Sequence, residues 1–267
     1  MKMNKAFAGD RLTASTVDGI GSLVLDNPPR KNAVTLAMWR ALPDAIHFLA
    51  GEAGARVIVL SGAGATDFSA GADISEFPTV RKDAETARVY EAANSAGFAA
   101  VRGARVPVIA AVRGICYGGG FGLAAAADVR LADETASFCI PAARLGLAYP
   151  ADAVMDLLHG LGSQLARTAL FTGQPIPPDQ LLAQGFLSDR VAAVALEETV
   201  LRLARQIADN APLSVQAAKL AIRAVEEGDA ALLSEAAVIG ASTVDSADYA
   251  EGRAAFAARR KPLFTGR

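Results

Sequence analysis

Apolar residues recur along this chain with two different periods, and the change of period divides it. Short continuous runs, Val57 to Leu60 and Val106 to Val112, are rich in β-branched residues and read as strands buried on both faces. A strand-like piece from Gly19 to Leu25 precedes the turn signal Asn27-Pro28-Pro29. Ala126 to Leu131 reads as a further strand, and Phe138-Cys139-Ile140 begins another short extended segment. Strands alternate with helical segments through about residue 190, which predicts an α/β body joined by crossovers. After residue 195 only the helical period remains. Val200, Leu203, Ala204 and Ile207 share one face of a segment from Leu196 to Ala208, which Asn210-Ala211-Pro212 stops. Val215, Ala218, Ile222 and Val225 repeat the period up to Gly228, and Ala230 to Ala241 and Tyr249 to Arg260 add two more helices. Residues 1–195 are expected to form the α/β core, and residues 196–267 a helical layer for packing and oligomerisation.

One unit occurs twice. The strand at Val57 to Leu60 runs into Ser61-Gly62, a polar loop and Ser69-Ala70-Gly71-Ala72-Asp73. The strand at Val106 to Val112 runs into Gly114, Tyr117-Gly118-Gly119-Gly120 and a run of helix formers from Leu123 to Ala127. Each strand is expected to end in a glycine-rich turn that opens a helix. With the two strand ends side by side, backbone N–H groups around Ala72 and Gly119 point into one crevice. Glycines remove the β-carbons that would keep a ligand from the backbone, and N–H groups fixed this way stabilise a carbonyl oxygen as it becomes an oxyanion or enolate. Two other readings compete: a dinucleotide loop, and glycines that serve only close helix packing. The spacing is not G-x-G-x-x-G, and Gly62-Ala63-Gly64-Ala65-Thr66 lacks the Gly-Lys-Ser/Thr ending of a phosphate loop.

Composition narrows the classes. The 267 residues are long enough to bury a real core without disulfides or metal. A net charge of −2 argues against a nucleic-acid binder, which needs a basic face to displace phosphate counterions. No apolar run is long enough to span a bilayer, and Met1-Lys2-Met3-Asn4-Lys5 is not followed by a secretory h-region. Cys116 and Cys139 lie in apolar stretches, as expected of reduced thiols in a cytoplasmic protein. His47 and His159 have no partners at metal-ligand spacing, and no Gly-x-Ser-x-Gly elbow is present.

The chain resembles the enoyl-CoA hydratase/isomerase, or crotonase, family. The matching pieces are Asn27-Pro28-Pro29-Arg30-Lys31-Asn32-Ala33, Phe68 through Ile74, Gly114 through Gly120, Ala127-Asp128 with Ala132, and Glu251 through Phe256 leading to Arg260-Lys261-Pro262. The resemblance implies a spiral of ββα units with a C-terminal helical trimerisation region, as a homotrimer or a dimer of trimers. It implies an acyl-CoA substrate, coenzyme A being part of that substrate and no separate cofactor being needed. It places the thioester oxygen on the N–H groups of Ala72 and Gly119. The adenine end is implied near Arg30 to Ala33 and near Ala70, with Asp73 and Ile74 at the pocket and Phe256 and Arg259 reaching a neighbouring subunit's CoA.

The chain departs from the family where its hydratases carry two glutamates, one acting as base on water and one as acid at Cα. Those positions are Gly122 and Ala142, and neither transfers a proton. Efficient hydration of a 2-enoyl-CoA is therefore not expected, and the family's single-glutamate isomerase base is missing as well, since it also falls at Ala142. Tyr149, in Leu145-Gly146-Leu147-Ala148-Tyr149, is similar in position to a tyrosine of the family's methylmalonyl-CoA decarboxylases, whose hydroxyl would orient a carboxylate for loss of CO₂. Asp152 is a second candidate, although with Pro150 expected as the first helical residue it also suits a helix first turn. Phe77, Tyr90, Phe98 and Phe121 are candidates for an acyl pocket or for the core. An acyl-CoA-binding protein without turnover is the reading from another class.

Overall fold

The computed structural model describes residues 3–267. The chain begins with β1 (Met3–Phe7), β2 (Leu12–Val17), β3 (Ile20–Leu25), α1 (Leu36–Ala50), β4 (Val57–Gly62), α2 (Phe77–Val80) and α3 (Ala84–Arg102). It continues with β5 (Val108–Val112), β6 (Ile115–Tyr117), α4 (Gly119–Ala126), β7 (Val129–Asp133), β8 (Ser137–Cys139) and α5 (Ala151–Thr172). The remaining elements are α6 (Pro178–Ala183), β9 (Asp189–Val191), α7 (Leu196–Ala208), α8 (Pro212–Glu227), α9 (Ala230–Ser242) and α10 (Ala247–Ala257). Seven strands form one sheet in the order β1-β2-β3-β4-β5-β7-β9, antiparallel from β1 to β3 and parallel from β3 onward, while β6 and β8 pair in a separate parallel ribbon.

The continuous apolar runs behave as expected of strands covered on both sides. Ile58, Leu60, Val108, Ala110 and Val112 join a core with Trp39 of α1, Phe98 of α3, Phe121 of α4 and Leu157 of α5. From the opposite face of the sheet, Val57, Ile109 and Leu131 meet Leu196, Val200 and Ala204 of α7. Within residues 196–267, therefore, α7 lies on the sheet, and α8 packs along α9.

Three details differ from the hydrophobic pattern. Strands β1 and β2 are absent from it because β1, at the sheet edge, buries no residue, and β2 buries the small Ala14 and Thr16 beside one large side chain, Leu12. Their partner hairpin was signalled instead by Asp18-Gly19, whose φ values of 50° and 77° suit a two-residue turn between Val17 and Ile20. The extended run placed at Ala126 to Leu131 starts only at Val129. Asp128 turns the chain there, its carboxylate accepting from Val108 N at 2.6 Å and from Lys219 Nζ at 2.7 Å. The third concerns the glycine loops, which do not each open a helix directly from the main sheet. The second follows β6 of the small ribbon. The first leads through a 3₁₀ turn, Ile74–Glu76, and the four-residue α2 before the long helix α3 begins.

Helix α3 is set by a capping box between Asp83 and Thr86 and packs on α1, whose N-terminus Thr35 caps. Contact is closest where Gly97 faces Trp39. A β-carbon on Gly97 would stand 2.8 Å from Trp39 Cε3, and Trp39 is fully buried. The same indole donates from Nε1 to Tyr90 Oη at 3.0 Å and meets the Phe98 ring edge-on at 5.3 Å. Replacing Gly97 by alanine is therefore expected to overpack this contact and lower the unfolding free energy by about 1–3 kcal/mol. Urea denaturation measures the loss, and an unchanged midpoint would show that α1 and α3 are free to separate.

Candidate active site

Two backbone amides face one cleft, each freed by a different device. Ala72 lies in an extended segment that bridges Val34: Val34 N donates to Gly71 O at 2.7 Å and Asp73 N donates to Val34 O at 3.0 Å. Alternate N–H groups of an extended chain point to opposite sides, so the bridge uses the amide of Asp73 and turns that of Ala72 away from Val34. Gly119 is the first residue of α4, where helix geometry supplies no acceptor for its N–H. Neither amide donates to any acceptor among the described residues. An ideal β-carbon on Gly119 would stand 3.7 Å from Ala72 N. The two donors thus converge, but only one of them is a helix start, which corrects the expectation of two such starts.

Their approach depends on Gly71. Its φ is +89°, and a β-carbon there would come within 2.6 Å of Tyr117 O and 2.9 Å of Gly119 N. The parallel bridge between Ser69 and Cys116 brings the loop alongside β6. Behind it, the Asn27 to Ala33 turn acts as a brace. Asn32 Nδ2 donates to Ala63 O at 2.9 Å and Asp67 O at 2.8 Å, Ser69 Oγ donates to Asn32 O at 2.7 Å, and Ala70 N donates to Lys31 O at 2.8 Å. At the far end of α4 the half-buried Arg130 side chain donates to the carbonyls of Ala125 and Ala127, where positive charge complements the helix dipole.

Tyr149 takes the space that Gly122 leaves. A β-carbon on Gly122 would lie 2.6 Å from Tyr149 Oη and 2.7 Å from Phe98 Cε1, and the hydroxyl donates to Gly118 O at 3.1 Å. The hydroxyl thereby holds the carbonyl of the peptide unit whose N–H is that of Gly119, from the side opposite that N–H. Burial pushes the phenol above its ordinary pKa of 10.0, so Tyr149 remains a neutral donor through the physiological range. Pro150 is the N-cap of α5 and not its first helical residue. Asp152, in the first turn, accepts from Ser95 Oγ at 3.0 Å and does not line the cleft.

The cleft encloses about 100 Å³ and is lined by Ala70, Ala72, Ile74, Gly119, Ala142 and Tyr149, among others. Arg30 is exposed on the neighbouring brace, and Ala33 is buried within it. Asp73, buried beside Ala72, accepts from Ser75 N at 3.1 Å and Ser75 Oγ at 2.6 Å, and so caps the 3₁₀ turn. Phe77 and Tyr90 line the cleft, Phe98 is fully buried against Gly122 and Trp39, and Phe121 packs in the core on Phe138 and Phe186. Phe256 and Arg259 do not join these residues in the same chain: Phe256 is 89 % exposed beside Tyr249 and Arg253, and Arg259 is exposed. Both thiols are buried, and burial pushes their pKa up, which leaves them unreactive. Among the described residues no His, Cys, Asp and Glu side chains cluster as a metal site.

The family model of enoyl-CoA hydratase/isomerase matches residues 15–267. The chain belongs to the enoyl-CoA hydratase/isomerase family. It is 31 % identical over 260 residues to probable enoyl-CoA hydratase 2, mitochondrial, of Arabidopsis thaliana, covering 96 % of this chain and 85 % of that one. It is 31 % identical over 261 residues to carnitinyl-CoA dehydratase of Proteus mirabilis, covering 96 % and 98 %. Its fold matches the crystal structure of an enoyl-CoA hydratase/carnithine racemase from Magnetospirillum magneticum with a TM-score of 0.91 at 32 % identity, over 97 % and 96 % of the chains. The α/β architecture is accordingly that of the crotonase fold. No described helix is long and apolar enough to cross a membrane.

Within this family member, polar side chains that the motifs did not mark also line the cleft. Arg81 and Glu91 form an ion pair, the Arg81 guanidinium lies 4.9 Å and 5.2 Å from the ring centroids of Phe77 and Tyr90, and Asn94 sits one turn further along α3. The helical period alone gave no signal for them, because polar residues of α3 look the same in sequence whether they face solvent or a cleft. Gly122→Glu is expected to destabilise the fold by about 1–3 kcal/mol, since its side chain meets Tyr149 and Phe98. Combining it with Tyr149→Ala should recover part of that loss. A double-mutant cycle in urea with no coupling would show that the two positions do not share one space.

Proposed function

We propose that the chain binds an acyl-CoA thioester with the thioester oxygen on the N–H groups of Ala72 and Gly119, and that it stabilises the enolate formed there. The observation that carries this reading is the convergence of two undonated amides beside a cleft lined mainly by apolar groups. Fixed donors of this kind supply on the order of 3 kcal/mol each to a developing oxyanion. The relatives named enoyl-CoA hydratase and carnitinyl-CoA dehydratase support the thioester chemistry.

The proton-transfer step differs from two-glutamate hydration. Gly122 and Ala142 offer no acid or base, and the place beside Gly122 is filled by Tyr149. A second reading follows from that hydroxyl: decarboxylation of a malonyl-type thioester. The C–C bond to the carboxylate breaks, CO₂ leaves, and its electron pair enters the thioester as an enolate held by Ala72 and Gly119. Cα then takes a proton from Tyr149 or water, and solvent restores the proton. No strong base is needed. Tyr149 orients the carboxylate before the bond breaks by turning its one O–H from Gly118 O to the substrate.

The implied CoA contacts and the trimer belong to the same proposal: Arg30, Ala33, Ala70, Asp73 and Ile74 from one chain, with Phe256 and Arg259 from a neighbour. The exposed apolar residues Val238, Val244 and Phe256 support a helical face buried between copies.

Purified protein is expected to hydrate crotonyl-CoA at least about 10²-fold more slowly than a two-glutamate family member. Robust hydration would contradict the account of Gly122 and Ala142. For the second reading, Tyr149→Phe is expected to suppress CO₂ release from malonyl- or methylmalonyl-CoA, while the wild-type rate shows no fall from Tyr149 ionisation up to pH 10. Unchanged release in the variant would dismiss decarboxylation by this group.

A further inference from the structure

The cleft holds a polar side chain that the protein itself does not satisfy. Tyr90, Asn94 and Phe98 follow one another at one-turn intervals on the buried face of α3. Tyr90 Oη accepts from Trp39 Nε1, and Phe98 packs on Trp39 beside Gly122. Asn94, between them, is only 6 % exposed, lines the cleft, and has no hydrogen-bond partner among the described residues.

A carboxamide offers two N–H donors and an oxygen with two lone pairs. The Asn94 nitrogen and oxygen are not sealed from water, since the buried side-chain atoms left without a partner among the described residues are Thr16 Oγ1 and Arg190 Nε; the carboxamide opens onto the cleft, where water or a ligand pairs it. No side chain or backbone group among the described residues pairs with Asn94, whereas a polar ligand in the cleft would. The charged neighbours are already matched. Arg81 and Glu91 form an ion pair, and the Arg81 guanidinium is stacked over Phe77 and Tyr90. Asn94 presents an unpaired carboxamide to the cleft that the Tyr149 side chain also lines.

We infer that Asn94 is a specificity-determining residue that hydrogen-bonds an oxygen atom on the acyl chain beyond the thioester carbonyl. The site then takes oxygen-bearing acyl groups in preference to saturated hydrocarbon ones. This inference rests on reading the cleft as an acyl-thioester site. The shared chemistry is an oxygen acceptor or hydroxyl within reach of the carboxamide, supplied either by a neutral hydroxy group or by a carboxylate. Sites built to pair a substrate polar group discriminate strongly against analogues lacking it, because the site's own group is left unpaired.

Titration calorimetry with the full chain tests it, using butyryl-CoA as reference, 3-hydroxybutyryl-CoA as the neutral arm, and malonyl- and succinyl-CoA as the carboxylate arm. At least one oxygen-bearing thioester is expected to bind wild type about 10-fold or more tighter than butyryl-CoA. Which arm responds identifies the source of the oxygen. Asn94→Leu is expected to abolish that preference, with butyryl-CoA as the reference ligand for both proteins. Asn94→Ala gives the same binding comparison if the leucine variant does not fold. Equal binding of all thioesters by wild type, or a preference that survives both substitutions, overturns the role of Asn94 and leaves the thioester site standing. Failure of every thioester, butyryl-CoA included, overturns the thioester reading and the inference with it.

Discussion

The site depends on one close approach between two pieces of backbone. At Gly71 the chain passes so near Tyr117 O and Gly119 N that no β-carbon fits, and this contact draws the Ala72 and Gly119 amides together. The surrounding structure holds that contact from both sides. The Val34 bridge turns the Ala72 amide outward, the Ser69 bridge to Cys116 aligns the loop with β6, and the asparagine brace fixes the loop from behind. Any side chain at position 71 would separate the two donors before it disturbed the main sheet.

The same economy of volume shapes the chemistry beside the hole. Where the resemblance to hydratases places a glutamate, this chain has Gly122, and the Tyr149 hydroxyl occupies the freed space from the opposite wall. An ionisable carboxylate is thereby exchanged for a neutral donor whose proton burial retains. The arrangement favours steps that develop charge on the thioester oxygen and need orientation of a substrate group, and it disfavours activation of water by a general base. Asn94 adds a further polar group on the α3 wall, so the cleft presents hydrogen bonds on two sides of an otherwise apolar space.

Much of this could be read in the sequence where the physical demand falls on residue type. Glycines at 71 and 118 to 120 mark close backbone approach, and the apolar runs at Val57 and Val108 mark strands buried on both faces. The asparagine motif at 27 to 33 was visible as a motif, although its work as a brace emerged only from its hydrogen bonds. What sequence could not supply was register and facing. Ala72 is freed by the parity of a strand bridge, which leaves no compositional trace. Glu91 and Asn94 of α3 resemble a solvated helix face, and Arg81 a solvated turn before it, until the segment from Pro141 to Pro150 completes the cleft with them. Strands β1 and β2 are hidden for a different reason: the Asp18-Gly19 turn signal is present, but β1 buries no residue and β2 carries a single large apolar side chain inward, Leu12.

The central claim is that the Ala72 and Gly119 amides polarise a bound thioester carbonyl. Infrared difference spectroscopy of an acyl-CoA labelled with ¹³C at the thioester carbonyl, free and bound, reports that polarisation directly. The account predicts a carbonyl band moved to lower frequency on binding, as two N–H donors draw electron density to the oxygen. A bound thioester whose carbonyl band stays at its solution frequency or rises would contradict it.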